Sequence, residues 1–563
     1  MEDKILTVKY RKLDRDLALF SYRLSGNGNF ENSWFVPSPE NMVMARMEFM
    51  MLKERFSSLS APDAAYEALK NHFGDFIESL EFILNDLENC PVREILDFTN
   101  RYLAAARIDR RDDRVKLSVI TGRLQQYISQ KDLLLRLCKD KMSKKALCDT
   151  ASALLDVSKS AEYETGELSF NFPGLSDEER ENLKASLMAF SVFAKKLSQN
   201  LYEGKEGISA PGTVEDDLSK TVKMDAEEYR SLLKSRLGVD LSELLSWGSE
   251  ETGKTRAEVF EIAERLTGGS DVPKDMEEVN ALLFKNEPAA KDADEMFERA
   301  RGYLQRARKV AHEYVNLPED EEVQCVPIPF ALKGGYPWGG YEGGDFRTRP
   351  LKGQMFLNQY NVPNISDGWI RMNAMHEAYP GHHVQYVRAA IDPTPETVKI
   401  GARLIPLLEG TCIRTERAFE DTYPDDPYYP LFVAYRRHHT SVRILVDLKL
   451  FYYGCTIGEA VDIYKKELGL DFVTARTQVQ AHLNSPGYFT CYYYGLKKIS
   501  SIEEELGFSK KDFTEILFSS GYVSMETFEK IARMTEEERN RFFTGFPSVL
   551  REDENFDPGA SMG

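Results

Sequence analysis

Apolar positions recur three and four residues apart through most of the first 200 residues. The spacing is clearest in residues 65–87, 95–108, 115–137 and 181–201, and it is typical of amphipathic helices. Alternation of apolar and polar residues, which marks strands, is scarce. Polar breaks at residues 204–213 and 267–273 interrupt the helical pattern. We therefore expect residues 1–320 to form a helical scaffold and one wall of a cleft.

The pattern changes after residue 317. Residues 326–331 and 354–358 are predicted to be extended, and residues 333–344 between them form a loop that contains six glycines. A helix should begin near Asp367, which is a candidate cap. These features predict a mostly α fold, a large multi-helix body around a deep cleft, with a small β hairpin or sheet beside that helix. The glycine loop suits close approach to a ligand, but a flexible hairpin tip fits equally well.

Charge and composition narrow the class of protein. The 563 residues carry 72 Lys and Arg against 91 Asp and Glu, for a net charge of −19. This excess of negative charge argues against nucleic acid or an anionic membrane as the main partner. We find no apolar run long enough to span a bilayer and no signal peptide at the N-terminus. The seven cysteines are widely spaced, which favours reduced thiols and a cytoplasmic location.

Histidines are concentrated in one short segment. Three of the eight histidines fall within residues 376–383, and Glu377 directly follows the first of them. Two imidazoles and a downstream carboxylate can hold a divalent metal with one open position, and a neighbouring glutamate can take a proton from the metal-bound water. Residues 321–550 are therefore predicted to be a metal-binding catalytic region, and the polar residues 551–563 a loose tail.

The spacing of these histidines departs from the usual H-E-x-x-H pattern. Pro380 occupies the i+4 position, and the next histidines are His382 and His383. A six-residue offset turns an ideal helix by about 600°, so the two imidazoles would point in different directions. A bulge at Pro380 and Gly381 would bring His382 back towards His376. The alternative is a helix that ends at residue 379 and two incidental histidines.

Two glutamates on the next predicted helix are candidates for a further ligand. Glu409 and Glu416 lie seven residues apart and so share a face. Glu409 is surrounded by apolar residues, where burial of an unpaired carboxylate is costly unless a metal compensates for it. A surface carboxylate on an amphipathic helix is the competing interpretation. Glu416 has Arg414 and Arg417 beside it as candidate ion-pair partners.

Residues 428–450 are predicted to form a long helix on which Arg443 and Asp447 make an i,i+4 pair. His438 and His439 also lie on it, and as neighbours they cannot face one site together, so they are interpreted as structural or surface residues. Capping boxes are predicted at Thr456 and Thr535. Residues 486–495 contain four tyrosines within seven positions, and phenols can donate hydrogen bonds to an oxyanion, although most tyrosines are packing residues.

These motifs resemble a bacterial family, domain of unknown function 885. That family carries HExxPGHH, then EGxxxxxE, then an Arg-x-x-x-Asp helix, then PGxxxxYxxG, and the matching segments here begin at His376, Glu409, Arg443 and Pro486. The resemblance covers roughly residues 320 to 535. Two departures are Tyr488 and Tyr493, where the family usually has Gln and Lys. A third is Thr411, where the family often has Trp.

That family is similar to zinc peptidases of the thermolysin-like, glutamate-liganded type, such as thermostable carboxypeptidase and thimet oligopeptidase. The resemblance implies one zinc ion as cofactor, a peptide or peptide-like substrate, and hydrolysis of peptide bonds. It also implies a largely helical body around a deep cleft. The expected zinc ligands are His376, His382 and Glu409, and His383 stays open as the alternative to His382 for the second histidine. Glu377 is expected to be the general base and Tyr492 the oxyanion donor. Residues expected to contact substrate or to support the ligands are His383, Glu416, Arg443 and Tyr493.

Two other functions remain open. One is hydrolysis of a non-peptide amide, such as a modified amino acid, by the same metal-dependent chemistry. The other is a catalytically inactive helical protein that binds peptides, although a binding protein has no need of Glu377 in the position of a general base. Whether a peptidase of this kind acts as a carboxypeptidase or as an oligopeptidase is left undecided. Arg443 is a candidate for binding a substrate carboxylate, but a pair with Asp447 explains it equally well.

Overall fold

A computed structural model describes residues 2–27, 33–103, 106, 109, 111–202, 218–328, 333, 336–344 and 349–552. The predicted polar link at residues 204–213 and the tail from residue 553 lie outside the described residues. The fold is mostly α-helical, which confirms the predicted class. Among the described residues, no helix is both long enough and apolar enough to cross a bilayer.

The N-terminal region is a series of helices, as the apolar spacing predicts. Side-chain caps define several of their starts, for example Ser38 before the second helix and Asp63 before the third. The helices are α1 (Glu2–Ser25), α2 (Pro39–Ser57), α3 (Ala64–Asn89), α4 (Arg93–Leu96), α5 (Phe98–Leu103), α6 (Asp113–Ser129), α7 (Lys131–Lys141), α8 (Lys144–Glu164), α9 (Leu168–Asn171) and α10 (Asp177–Tyr202).

Four more helices follow this region, and the described residues include five short strands. The helices are α11 (Ala226–Leu232), α12 (Leu241–Thr267), α13 (Met276–Asn286) and α14 (Ala293–Tyr314). The strands are β1 (Thr221–Val222), β2 (Glu321–Pro327), β3 (Gly339–Glu342), β4 (Leu351–Leu357) and β5 (Cys455–Thr456). The break predicted at residues 267–273 is confirmed, because α12 ends at Thr267.

The predicted small sheet is present and contacts the histidine segment. Strand β4 lies in the centre, parallel to β2 and antiparallel to β3. Strand β3 is built from the second half of the glycine loop and forms an edge of the sheet; residues 334–335 of that loop lie outside the described residues. Strands β3 and β4 both contact the turn at Ala374–Ala378. A second, two-stranded pairing joins β1 to β5.

The C-terminal region is again helical. Both predicted capping boxes are confirmed, at Thr456 with Glu459 and at Thr535 with Glu538. The helices are α15 (Asp367–Asn373), α16 (His382–Ile391), α17 (Glu396–Ile400), α18 (Ile405–Ala418), α19 (Tyr429–Asp447), α20 (Ile457–Leu468), α21 (Phe472–Asn484), α22 (Thr490–Leu506), α23 (Lys510–Ser519), α24 (Met525–Arg533) and α25 (Glu536–Thr544).

The largest hydrophobic core draws on both ends of the chain. It extends from Tyr10 on α1 to Phe546, whereas a second cluster is confined to residues 34–201. Arg551, at the start of the predicted tail, donates to the buried carboxylate of Glu396. The N-terminal helices therefore share a core with the region that carries the candidate site, and the division at residue 320 stays a prediction.

Glu287, the residue directly after α13, is buried and contacts α15. Its carboxylate lies 3.5 Å from the Arg371 guanidinium, and Asp367 donates its backbone N–H to the Glu287 carbonyl oxygen. Burial, and then the neighbouring Asp426, raise the pKa of Glu287 to about 9. The carboxyl group is consequently protonated in the folded protein at neutral pH.

The free energy of unfolding is expected to fall as the pH rises from about 5 to 9. The folded-state pKa of Glu287 is raised above its unfolded value, so its contribution is complete below the unfolded pKa and is lost towards the folded pKa. The slope from this group approaches about 1.4 kcal/mol per pH unit.

Denaturant unfolding at several pH values would test this effect. Glu287→Gln should remove that part of the slope, whereas Glu277→Gln, at an exposed position of α13, should keep it. Parallel stability curves for wild type and Glu287→Gln would contradict the expected titration.

Candidate metal and catalytic site

The backbone between His376 and His382 leaves the regular helix. Helix α15 passes into a π-helical turn at Ala374–Ala378, and Tyr379 donates its backbone N–H to the Ala374 carbonyl oxygen. Helix α16 then begins at His382 itself. The two imidazole rings come within 5.0 Å of each other, centroid to centroid. The predicted return of His382 towards His376 is confirmed, but the departure begins before Pro380.

Gly381 is required where the chain turns back. A Cβ atom at this position would lie 2.0 Å from the backbone oxygen of His376, far inside van der Waals contact. The reason is close approach, since the φ of Gly381 is −130° and not left-handed. The turn therefore packs directly on the segment that carries the first histidine, which rules out two incidental histidines beyond a simple helix end.

A second close backbone approach places Glu409. Helices α18 and α22 meet at Gly410 and Gly495, where a Cβ on Gly410 would lie 2.4 Å from the carbonyl carbon of Gly495. No larger side chain fits between the two helices there. The contact holds Glu409, on α18, close to Tyr488 and Tyr492. Tyr488 lies just before the start of α22, and Tyr492 lies in its first turn. Glu409 is buried, so the alternative of a surface carboxylate is wrong.

Three side-chain atoms converge on one point. The Oε2 atom of Glu409 lies 3.3 Å from Nε2 of His376 and 3.5 Å from Nε2 of His382. These contacts lack hydrogen-bond geometry, and Oε2 of Glu409 is buried without a hydrogen-bond partner among the described residues. A buried carboxylate oxygen without a donor is unfavourable. A bound cation would compensate for this cost.

Both imidazoles are oriented by their other nitrogen atom. His376 donates from Nδ1 to Oε1 of the buried Glu416 at 2.7 Å. His382 donates from Nδ1 to the amide oxygen of Gln385 at 2.8 Å. In the neutral ring each Nε2 is then the atom with the free lone pair. The lone pairs of both histidines therefore face Glu409, and outer partners of this kind are typical of metal ligands.

The carboxylate of Glu409 is oriented in the same way. Tyr488 donates its hydroxyl hydrogen to Oε1 of Glu409 at 2.8 Å. This bond occupies one carboxylate oxygen and leaves Oε2 for the point where the histidines converge. Each of the three candidate ligands consequently has its own outer partner.

Opposite charges are concentrated at this point. Burial by itself lowers the pKa of His376, but the charge of Glu377 and the contacts with Glu409 and Glu416 outweigh it and raise that pKa to about 10. For Glu409, burial favours the neutral acid, but the charge of His382 and the proximity of His376 lower its pKa well below the usual range. Without a bound cation, protons on the imidazoles compensate for the carboxylate.

Cys412 offers an alternative donor near the same histidines. Donor atoms of His376, His382 and Cys412 lie within 4.8 Å of one another. The thiol sulfur, however, lies 3.5 Å from Nδ1 of His382, which is the nitrogen atom that donates to Gln385. Burial also raises the pKa of this thiol well above its usual value. The set that contains Glu409 is therefore the better match to a divalent metal.

His383 takes no part in the convergence. Its Nε2 donates to Glu321 at 2.8 Å, and its Nδ1 accepts from the Tyr341 hydroxyl at 2.9 Å. Both nitrogen atoms are thus occupied, the residue is fully buried, and it does not line the cavity beside the site. Of the two expected roles, the structure places His383 as a supporting residue, because its ring holds Tyr341 and β2.

A cavity of about 860 Å³ opens beside the converging atoms, a size typical of ligand sites. Glu377 lines it, is half-buried, and has no side-chain hydrogen bond in the described part of the chain. Tyr492 lines it as well, with its ring nearly parallel to that of His376 at a centroid distance of 6.3 Å. The structure therefore brings five of the predicted site residues together: His376, Glu377, His382, Glu409 and Tyr492.

The remaining predicted residues separate into two groups. Arg443 lines the cavity and Glu416 supports His376. Tyr493 instead donates to Glu251 at 2.8 Å and does not line the cavity. The reason is helical geometry, since Tyr493 follows Tyr492 directly and points to another side of α22.

Three predicted ion pairs are absent. Asp447 does not pair with Arg443, because its oxygens accept from His482 at 2.6 Å and from Tyr229 at 2.5 Å. Arg414 pairs with Glu503 rather than with Glu416. Arg417 likewise pairs elsewhere, with Glu258 and Glu420.

Three other predictions concern the same helices. His438 and His439 are both buried, which confirms the structural interpretation and not the surface one. The start of α15 is at Asp367, as predicted, but the cap is Ser366. Helix α19 ends at Asp447 and continues as a π-helical turn to Tyr453.

Several supporting residues escaped the sequence analysis. Gln385 lies three residues after His382 on a helix, a spacing that puts both on one face and could have revealed it. Tyr488 was noted only as a departure from the family pattern. Glu321 and Tyr341 carry no local signal, because they meet His383 only through the sheet.

The family assignment follows from comparison with known proteins. The model of the family "Bacterial protein of unknown function (DUF885)" matches residues 52–531. The chain belongs to this family. The match begins in α2, far before residue 320, so it includes most of the helical scaffold that the motifs alone left unassigned. A comparison with curated proteins gives no match.

Solved structures share the fold. One is described as a "putative lipoprotein" from Colwellia psychrerythraea; it has a TM-score of 0.73 and 16% identity over 96% of this chain and 100% of that one. Another, a "putative lipoprotein of unknown function" from Shewanella oneidensis, has a TM-score of 0.67 and 14% identity, covering 93% of this chain and 99% of that one. At such identities the likeness concerns the fold alone.

Proposed function

We propose that this protein is a zinc-dependent hydrolase of peptide bonds. The observation that carries this proposal is the convergence of Nε2 of His376, Nε2 of His382 and Oε2 of Glu409 beside a large cavity. The three residues would hold one zinc ion. The separations of Oε2 of Glu409 from the two Nε2 atoms, 3.3 and 3.5 Å, match neighbouring ligands of a tetrahedral ion, for which bonds of about 2.0–2.2 Å put ligand atoms about 3.3–3.6 Å apart.

Zinc at this point would supply a Lewis acid that polarises a substrate carbonyl and lowers the pKa of water. Glu377 then serves as the general base. It follows His376 directly, lines the same cavity, and its carboxylate is not occupied by another side chain in the described part of the chain. Its carboxylate can accept a proton from water and pass it to the leaving amine.

Tyr492 is the donor to the oxyanion. Burial, and then the charge of Glu409, raise the pKa of its phenol well above the usual value. The hydroxyl group is therefore protonated at neutral pH and able to donate a hydrogen bond. The neighbouring cations are Arg436 and Arg443, whose guanidinium carbons lie 5.7 and 4.8 Å from its ring centre. They add positive potential close to this ring.

The edge of the small sheet suits an extended substrate. Strand β3 pairs with β4 on one side, and all four of its residues line the cavity. Its other edge therefore offers backbone N–H and C=O groups to a peptide that adds as a further strand. This arrangement favours a peptide over a compact non-peptide amide as the substrate.

The proposed location is the cytoplasm. All seven cysteines are free, and five of them are buried, which supports a reducing compartment. The two similar structures are named lipoproteins by their titles, so fractionation of cells that express the natural gene would test this part independently of catalysis.

Zinc binding and peptide hydrolysis by the wild-type protein would test the function. We expect one zinc ion per chain after metal loading, cleavage of peptides from a mixed library, loss of cleavage with a chelator, and recovery with zinc. Failure to bind zinc would overturn the proposal. Zinc binding with cleavage of N-acyl amino acids or other amides, but of no peptide, would support the non-peptide alternative.

Tyr488→Phe is expected to weaken zinc binding about 10- to 100-fold. The substitution removes the hydroxyl that holds Oε1 of Glu409 but leaves all three ligands in place. Competition with a chromogenic chelator would measure the affinity. Tyr493→Phe is the matched control, since its hydroxyl contacts Glu251 outside the cavity. Equal affinities for the two variants would contradict an orienting role for Tyr488.

A further inference from the structure

Two buried arginines line the same cavity. Arg436 and Arg443 lie seven residues apart on α19, which places them on one face of the helix. Their exposed fractions are only 5% and 6%. Burying two cations side by side is costly unless anions compensate for them.

The protein supplies little of that compensation. The Nε and Nη1 atoms of both residues lack hydrogen-bond partners among the described residues. Arg443 donates only from Nη2, to the amide oxygen of Gln478 at 3.3 Å. The carboxylate near Arg436 is that of Glu416, at 3.7 Å, and it already accepts the shorter bond from His376.

Aromatic rings surround the two guanidinium groups without satisfying their donors. Both face Tyr492, and Arg443 also lies 4.9 Å from the ring centre of Phe489. Arg436 lies 5.7 Å from the ring centre of Trp369. Such contacts stabilise the positive charge, but they leave the Nε and Nη1 atoms of both guanidinium groups without hydrogen-bond partners among the described residues. A planar guanidinium at the wall of a cavity is the group that best matches a carboxylate.

We propose that Arg436 and Arg443 form a subsite for the free C-terminal carboxylate of the substrate. This inference rests on the proposed function, and it makes the enzyme a carboxypeptidase. Other charged groups that line the cavity include the carboxylates of Glu342 and Glu377. Arg476 and Glu409 line it as well.

The distance from the arginines to the zinc ligands suits cleavage near the C-terminus. The ring centre of Tyr492 lies 4.8 Å from the Arg443 guanidinium carbon and 6.3 Å from the ring centre of His376. Together these two distances limit the separation of Arg443 from His376 to 11.1 Å. Since each residue of an extended chain spans about 3.3–3.6 Å, this limit corresponds to at most about three residues, so the cleaved bond lies near the C-terminus of the substrate.

Binding of paired ligands to the full-length protein would test the subsite without turnover. N-acetyl-L-phenylalanine and its amide differ only in the carboxylate, and N-acetyl-L-leucine with its amide provides a second pair. In zinc-free protein, where an acid cannot bind to the metal, calorimetry should show each acid binding about 10- to 100-fold more tightly than its amide. Equal affinities, or no binding of either acid, would overturn the subsite.

Arg443→Met should abolish the preference for the acids. Arg437→Met is the matched control, since Arg437 adjoins Arg436 but faces Glu258 outside the cavity and should keep the preference. If Arg443→Met fails to fold, Arg443→Lys serves instead, because it retains the charge but not the planar pair of donors. A folded Arg443 variant that keeps the full preference would overturn the assignment.

Turnover by the zinc-loaded protein separates this inference from the proposed function. Peptides with a free C-terminus should be cleaved about 10- to 100-fold more efficiently than the same peptides with an amidated C-terminus. Equal cleavage of both would overturn the subsite and leave the hydrolase intact. No cleavage, together with tight binding of the acids, would overturn the hydrolase and leave the subsite intact.

Discussion

Glu377→Gln is expected to reduce peptide hydrolysis by about 10²- to 10⁴-fold while one zinc ion per chain remains bound. The amide keeps the size and much of the polarity of the side chain but cannot accept a proton from water. His376, His382 and Glu409, which converge at 3.3 and 3.5 Å, are unchanged by the substitution. Steady-state kinetics on any peptide that the wild type cleaves, together with metal analysis, would measure both quantities.

The control for this variant is Glu322→Gln, an exposed residue of β2 that pairs with Lys352 and should leave hydrolysis unchanged. Loss of zinc together with activity would mean that Glu377 supports the metal site rather than proton transfer. Full activity of Glu377→Gln would remove it from the mechanism altogether.

His382→Ala and His383→Ala are expected to have opposite consequences. His382→Ala removes one of three ligand atoms and should weaken zinc binding about 100- to 1,000-fold, given the typical free energy of zinc sites. Nδ1 of His382 contacts only neighbours of the site, Gln385 and Cys412, so the loss should fall mainly on zinc affinity. Chelator competition and urea unfolding would measure the two effects.

His383→Ala should spare zinc binding and lower the free energy of unfolding. The substitution leaves Glu321 and Tyr341 without their shared partner in a fully buried position, at a cost of about 1–3 kcal/mol. If zinc binding fell as far in this variant as in His382→Ala, the two histidines would have been assigned the wrong way round.

Local patterns in the sequence predicted much of the fold. Helices such as α3, α10 and α19 follow the three- and four-residue spacing of apolar positions, because one face of each packs into the core. Strand β4 falls where a short apolar run was found. By contrast, the predicted helix at residues 95–108 is represented by the shorter α4 and α5. Element ends depend on local caps and on neighbours, which periodicity does not encode.

Two close glycine contacts show which structural features could not be predicted from the sequence. Gly381 and Gly410 belong to recognisable motifs, but the backbone atoms that they approach lie on other turns or helices. Similarly, the side chain of Arg443 is adjacent to Asp447 on an ideal helix, yet Asp447 is taken by His482 and Tyr229 from distant segments. A local pairing was therefore predicted where long-range hydrogen bonds decide the outcome.

The sequence by itself determined the mostly helical class, the family motifs and the candidate ligands His376, His382 and Glu409, since residue types and spacing are local information. Tertiary structure alone decided that His382 and not His383 faces Glu409. It also left the Nε and Nη1 atoms of Arg436 and Arg443 without hydrogen-bond partners among the described residues. The physical reason is that a buried polar atom is defined by the partners that long-range packing brings to it, and these partners come from β2, α18, α21 and the turn before α22.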